Sequence, residues 1–81
     1  LVENKMSSVT MFPNPAQNTL ELTSEYSGNN EVQIINSLGQ IVKEFSFEST
    51  TIVDIEDLNA GVYFVKISGE NAITKKLVVK D

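Results

Sequence analysis

The stretch LNAGVYFVKI, residues 58–67, decides the fold of this chain, because turn-forming residues lead directly into an aromatic and β-branched run. Asn59 and Gly61 favour a turn, and Tyr63 follows at the start of a predicted strand. This is the layout of a tyrosine corner, in which the tyrosine hydroxyl bonds to the backbone a few residues upstream and locks the crossing between two sheets. We therefore assign structural roles to Gly61 and Tyr63.

The predicted strand after this corner is apolar on both faces. Tyr63, Val65 and Ile67 share one face, and Val62 and Phe64 lie on the other. Such a two-sided pattern is typical of a strand in the middle of a sheet whose outer face is also covered. We expect this strand to be central, with something covering its outer face.

Period-two alternation recurs along the rest of the chain, and no window shows a helical face with caps. One strand is predicted to end before Pro13, and others occupy residues 19–23, 31–36, 40–47, 51–55, 62–67 and 72–80. About seven short strands separated by turn signals predict an all-β fold, an antiparallel immunoglobulin-like Greek-key sandwich. A small closed barrel is the main alternative.

Two lysines interrupt otherwise apolar strand faces. Lys43 shares a predicted face with Ile41, Phe45 and Phe47, which places its amine at the rim of the core or extended towards solvent. Lys75 lies on the apolar face of the last strand. A lysine there indicates either a bulge or an edge position.

The composition argues against catalysis. With 81 residues the chain forms one domain with a modest core. It has no cysteine and no histidine, so the commonest ligands of zinc, iron and copper and the usual bases of nucleophilic catalysis are missing. We predict no enzyme activity and no cofactor.

Asp54, Glu56 and Asp57 suggest a calcium site, but they lack the glycine spacing of a calcium loop. We therefore prefer the interpretation of a solvated acidic turn.

Charge and hydropathy limit the partners. The net charge is −5 and all six basic residues are lysines, so the arginine fork that suits phosphate and guanine is missing and no nucleic acid is expected. The apolar runs are far shorter than the roughly 20 residues that span a bilayer. We predict no membrane insertion.

Two segments are candidates for recognition by a partner protein. Residues 13–15, Pro-Asn-Pro, form an extended segment that loses little entropy on binding; alternatively they only terminate a strand, with Asn14 bonding locally. Half of the lysines lie in residues 75–80, where they either protect an edge strand from aggregation or form a docking surface. In the second case, the edge offers unpaired backbone groups, and its lysines attract an acidic receptor.

Four motifs in this order closely resemble one family: FPNPA at residues 12–16, IINSLGQIV at 34–42, the corner stretch at 58–67 and KKLVVK at 75–80. The chain resembles the type A C-terminal sorting domain of the type IX (Por) secretion system of Bacteroidetes. The resemblance implies that residues 9–81 are the sorting domain. Residues 1–8 are then the end of an interdomain linker.

By this resemblance the domain directs a cargo protein across the bacterial outer membrane. The implied partners are the outer-membrane secretion machinery, a surface peptidase that cleaves many members, and an unknown cargo domain preceding this one. The implied route passes through the periplasm to the cell surface or the medium. The family positions that carry over are Pro13, Asn14, Pro15, Gly61, Tyr63, Lys76, Leu77, Val78, Val79 and Lys80. Recognition by the machinery is expected at all of them except Gly61 and Tyr63.

A binding module is the alternative function. A carbohydrate-binding or adhesive β-sandwich appended to a secreted enzyme would need exposed aromatic rings. The chain has no tryptophan, and most of its aromatic residues occupy predicted core positions. Tyr26, beside the Gly28 loop, is the one candidate for a sugar platform.

Overall fold

A computed structural model describes residues 9–25, 28–69 and 72–80. The strands are β1 (Val9–Phe12), β2 (Thr19–Ser24), β3 (Asn30–Ile35), β4 (Ile41–Phe47), β5 (Thr50–Asp54), β6 (Gly61–Ser68) and β7 (Ala72–Val79). The described residues contain no helix. The all-β prediction is confirmed, and the strands lie close to their predicted bounds.

The strands form two antiparallel sheets. One has three strands in the order β1-β2-β5, and the other has four in the order β4-β3-β6-β7. The chain passes between the sheets from β2 to β3, from β4 to β5 and from β5 to β6, as in an immunoglobulin-like sandwich. Two separate sheets rule out the closed barrel.

The core fills the space between the sheets. It consists of inward-facing side chains, namely Val9, Ala16, Leu20, Leu22, Val32, Ile34, Phe47, Val53, Ile55, Tyr63, Val65, Ile67, Leu77 and Val79. Side chains alternate between the two faces of a strand, so one residue in two enters this layer. Burial of apolar surface here is the main source of stability.

The tyrosine corner forms at the start of β6. The Tyr63 hydroxyl donates a hydrogen bond of 2.7 Å to the Asn59 carbonyl, four residues upstream. The Tyr63 ring is buried in the core. Gly61, where β6 begins, has φ of 156°, a conformation that side-chain-bearing residues rarely adopt. The corner thus fixes the direction in which the chain enters the four-stranded sheet.

Replacing Tyr63 with phenylalanine is expected to lower the free energy of unfolding by about 1 kcal/mol, because the Asn59 carbonyl loses its donor while the ring stays in the core. Equilibrium unfolding in urea measures this change. Asn59→Ala is the control, since the bond uses the backbone oxygen of Asn59 and survives this substitution. Equal stability of Tyr63→Phe and the parent chain would contradict the structural role of the hydroxyl.

β4 begins with a β-bulge. Ile34 pairs with Lys43, but the next pair along the strands is Ile35 with Ile41, which leaves Val42 as an extra residue. An extra residue reverses the face of the residues beyond it. Ile41 consequently points outward and is 51% exposed, so the prediction that it shares the core face of β4 is wrong.

Lys43 and the acidic residues Asp54, Glu56 and Asp57 lie at the rim of the sandwich. The Lys43 amine is 3.1 Å from an Asp57 carboxylate oxygen, and such an exposed ion pair contributes little stability. The Asp54 carboxylate accepts a hydrogen bond from the backbone N–H of Glu56 at 2.9 Å, as in a turn. In the described part of the chain, no group of acidic side chains is arranged to hold a metal ion.

The strand after the corner is central, as predicted, but its outer face is open. β6 lies between β3 and β7, yet Val62 and Phe64 are 40% and 41% exposed. Residues 9–25, 28–69 and 72–80 thus leave this face partly exposed. β7 is an edge strand, and its pairing with β6 is continuous, so the bulge considered at Lys75 is absent.

Candidate recognition site

The two segments that the sequence nominated for recognition, residues 13–15 and 76–80, lie side by side. Residues 13–16, here called the strap, leave the sheet of β1 and run along the outer edge of β7 in the other sheet. Residues 9–16 therefore contribute to both sheets, through β1 and through the strap. The peptide bonds before Pro13 and Pro15 are both cis.

Ala16 pairs with β7 through its backbone. Its N–H donates to the Val78 carbonyl at 2.8 Å, and its carbonyl accepts from the Lys80 N–H at 2.7 Å. The Ala16 side chain is completely buried, so the strap is anchored in the core at this point. Sequence reasoning did not nominate Ala16. The signal that could have found Ala16 is its place at the end of the FPNPA motif.

Asn14 extends the pairing with its side chain. Its Nδ2 donates to the Lys76 carbonyl at 2.9 Å, and its Oδ1 accepts from the Val78 N–H at 3.0 Å. The carboxamide thus occupies the place of a backbone amide, a donor that the flanking prolines lack. The interpretation that Asn14 bonds locally is wrong, because these partners lie 62 and 64 residues away.

The end of β7 is not an open edge. The outward N–H groups of Val78 and Lys80, and the outward carbonyls of Lys76 and Val78, all bond to the strap. The expectation of unpaired backbone groups at this segment is therefore wrong. A partner that approaches this surface meets side chains rather than a strand edge.

Strand alternation divides the side chains of the terminal segment. Lys76 and Lys80 are exposed and Val78 is half-buried. Leu77 and Val79 are 0% and 4% exposed and belong to the core. They hold the strand in place and present no side chain on the surface of the folded domain.

A shallow groove joins the strap to the end of the chain. It is lined by Pro13, Pro15, Gln17, Asn18, Thr19 and Lys80. The two nominated segments therefore share one surface, which includes the exposed residues Pro13, Pro15 and Lys80. The exposed prolines and Lys80 offer a cationic feature for another protein to contact.

Two other expectations concern partners. The sugar platform rested on Tyr26, which lies outside the described residues, and nothing in the described residues supports the carbohydrate-binding alternative. Within residues 9–25, 28–69 and 72–80, no helix has the length and hydrophobicity needed to cross a membrane.

Comparison with known families gives a match that covers nearly the whole chain. The model of the family described as "Secretion system C-terminal sorting domain" matches residues 10–80. The matched range includes the strap, the tyrosine corner and the terminal strand. No curated protein matches the chain significantly.

Proposed function

Because this chain belongs to the family of secretion-system C-terminal sorting domains, we propose that the secretion machinery recognises the surface shared by the strap and the end of β7. The domain is a C-terminal sorting signal of a type IX secretion system. A protein that carries it is secreted, and a sorting signal is not a catalyst. The expectation of a signal domain is thus confirmed.

The finer route is part of the proposal. The domain follows a cargo domain through the periplasm, is recognised there in its folded state, and directs the cargo across the outer membrane. A surface peptidase then removes it by cutting in or near residues 1–8, which link it to the cargo. Residues 1–8 lie outside the described part of the chain.

The pairing of the strap with β7 is the structural observation that supports this surface. Hydrogen bonds of 2.7–3.0 Å hold Lys76 and Lys80 at fixed positions beside the strap. A partner that binds preorganised groups does not have to order them, and less affinity is lost on binding. The two lysines are also positive charges on a chain of net charge −5, so they mark one end for an acidic receptor.

Export of a fused reporter tests the sorting function. The full chain is attached to the C-terminus of a periplasm-directed reporter enzyme in a host that has the secretion system. The reporter is expected at the cell surface or in the medium, and fractionation with activity assays measures its distribution. Reporter retained in the periplasm, while a native substrate of the host is still exported, would refute the function.

Removing the two terminal lysines tests the site. Lys76→Ala with Lys80→Ala is expected to reduce reporter export by about threefold, because long-range attraction to an acidic receptor is lost. The melting temperature should change little, since both side chains are exposed. Lys66→Ala is the matched control, because Lys66 is an exposed lysine of the same sheet away from the strap. Unchanged export would refute recognition of these two lysines.

A further inference from the structure

The outer face of the four-stranded sheet carries an apolar patch at one end. Cross-strand pairing places Ile41 beside Ile35, Ile35 beside Phe64, and Val62 beside Val78. Cross-strand partners project from the same face of a sheet. We call these residues the outer patch: Ile35, Ile41, Val62, Phe64 and Val78.

The bulge in β4 creates part of this patch. In an uninterrupted β4, Ile41 would enter the core with the other odd-numbered residues of the strand. The extra residue Val42 instead turns Ile41 to the outer face, next to Ile35. As a result, the Ile41 side chain is 51% exposed to solvent, and the Val42 side chain is 38% exposed. Exposed apolar side chains that are contiguous, rather than scattered, mark interaction surfaces.

The other half of the same face is polar. The next row along the strands places Glu44 beside Gln33, Gln33 beside Lys66, and Lys66 beside Thr74. The Gln33 amide donates to the Glu44 carboxylate at 3.0 Å. The apolar character is therefore confined to the end of the sheet where β6 begins and β7 ends, which is the end next to the strap.

The edges of this sheet disfavour addition of a partner strand. The strap occupies the outer side of β7 from Lys76 onwards. At the other edge, β4 has a bulge and a lysine, Lys43, two features that protect edge strands from pairing. At the strap end of this sheet, a partner is thus expected to meet the face rather than the edges.

The lysines beside the outer patch indicate the chemistry of its partner. Lys76 stands beside Phe64 in the cross-strand register, and exposed Lys80 directly follows β7. The patch therefore has a cationic border on the side of the strap. A partner surface with carboxylates around an apolar centre would complement both the patch and its cationic border, whereas a second copy of the chain would present the same lysine border.

We propose that the outer patch docks the sorting receptor of the secretion machinery through an apolar surface bordered by carboxylates, with Phe64 as the central anchor. This inference rests on the proposed function and extends the recognition surface from the strap and lysines onto the sheet face. Phe64 is the largest side chain of the patch and lies between Ile35 and Lys76 in the register. Aromatic side chains at the centre of an interface commonly dominate its binding energy.

Replacing Phe64 with serine in the full chain fused to the reporter tests the patch. Export is expected to fall by about tenfold, as for loss of an interface anchor. Ile52→Ser is the matched control, because Ile52 is 69% exposed on the outer face of the other sheet. Circular dichroism and thermal unfolding of both purified variants establish that each is folded. Phe64→Leu, which keeps an apolar side chain, is expected to restore part of the export.

The outcomes separate this inference from the sorting function. Export of the parent chain together with normal export of folded Phe64→Ser would overturn the patch and leave the function standing. Equal losses for Phe64→Ser and Ile52→Ser would also overturn it. If the parent chain itself is not exported, the sorting function fails first.

A photocrosslinking amino acid at position 64 identifies the occupant. We expect an adduct with an outer-membrane component of the secretion machinery, identified by mass spectrometry, and none from position 52. An adduct between two copies of the chain, accompanied by a dimer in sedimentation that Phe64→Ser abolishes, would overturn the proposal in favour of self-association.

Discussion

Replacing Leu77 with alanine is expected to lower the free energy of unfolding by about 3 kcal/mol, because it leaves a cavity between the two sheets. Leu77 is completely buried, and it pairs across the strands with Tyr63, the residue of the tyrosine corner. Densely packed neighbours relax only partly into such a space. A domain of this length has a total stability of roughly 4–12 kcal/mol, so this one change removes a large share of it.

Equilibrium unfolding in urea, followed by circular dichroism, measures the effect. Leu38→Ala is the matched control, because Leu38 is 82% exposed at the tip of the loop between β3 and β4. That variant should stay within about 0.5 kcal/mol of the parent chain. A loss under about 1 kcal/mol at Leu77 would contradict its place in a well-packed core. Any export defect of Leu77→Ala is then attributed to unfolding rather than to a lost contact.

Replacing Asn14 with alanine is expected to lower the free energy of unfolding by about 2 kcal/mol, because two hydrogen bonds to β7 are lost at about 1 kcal/mol each. The Lys76 carbonyl loses its donor and the Val78 N–H its acceptor. The freed groups lie on the outer side of an edge strand, where another chain can pair with them. The variant should therefore also associate as its concentration rises.

Urea unfolding and sedimentation velocity measure these two effects. Asn18→Ala is the matched control, since Asn18 is an exposed asparagine of the segment that follows the strap. Its backbone carbonyl accepts a hydrogen bond from the Ile55 N–H, a bond that the substitution preserves. If Asn14→Ala is as stable and as monomeric as Asn18→Ala, the strap does not protect the edge.

These effects divide the family motifs into two kinds of residue. Asn14 and Leu77 act on the folded domain, through edge pairing and core packing. Lys76 and Lys80 are exposed and contribute little to stability. A signal recognised after folding needs both kinds, because the exposed groups have defined positions only while the strap and the core hold the end of β7 in place.

The sequence predicted the corner and the core faces because both depend on local patterns. The tyrosine corner uses a hydrogen bond between residues four apart, so its signal fits within one short stretch. Core faces follow from the two-residue repeat of a strand, which shows in any run of alternating residues. Gly39, in the loop between β3 and β4, has a φ of 89°, a conformation that glycine adopts more readily than other residues.

Local sequence patterns gave no correct prediction where an extra residue changed the strand register or where a polar side chain is buried. The bulge at Val42 displaced Ile41 from the core, and nothing in the alternation of β4 announces an extra residue. Asn30, the first residue of β3, is 2% exposed, although asparagine is usually a surface residue. Its amide lies 3.4 Å from the Gly28 carbonyl and 3.5 Å from the Phe47 carbonyl, so a distant strand satisfies it.

The sequence by itself determined the all-β class, the tyrosine corner and the two segments at which recognition is proposed. Only the tertiary structure decided that these segments are partners, and that Asn14 closes the edge which the sequence had left open. The reason is physical: alternation and turn chemistry act between neighbours along the chain, whereas strand pairing joins residues that are brought together by folding. Asn14 and Lys76 are 62 residues apart, and the hydrogen bond between them leaves no pattern in the intervening sequence.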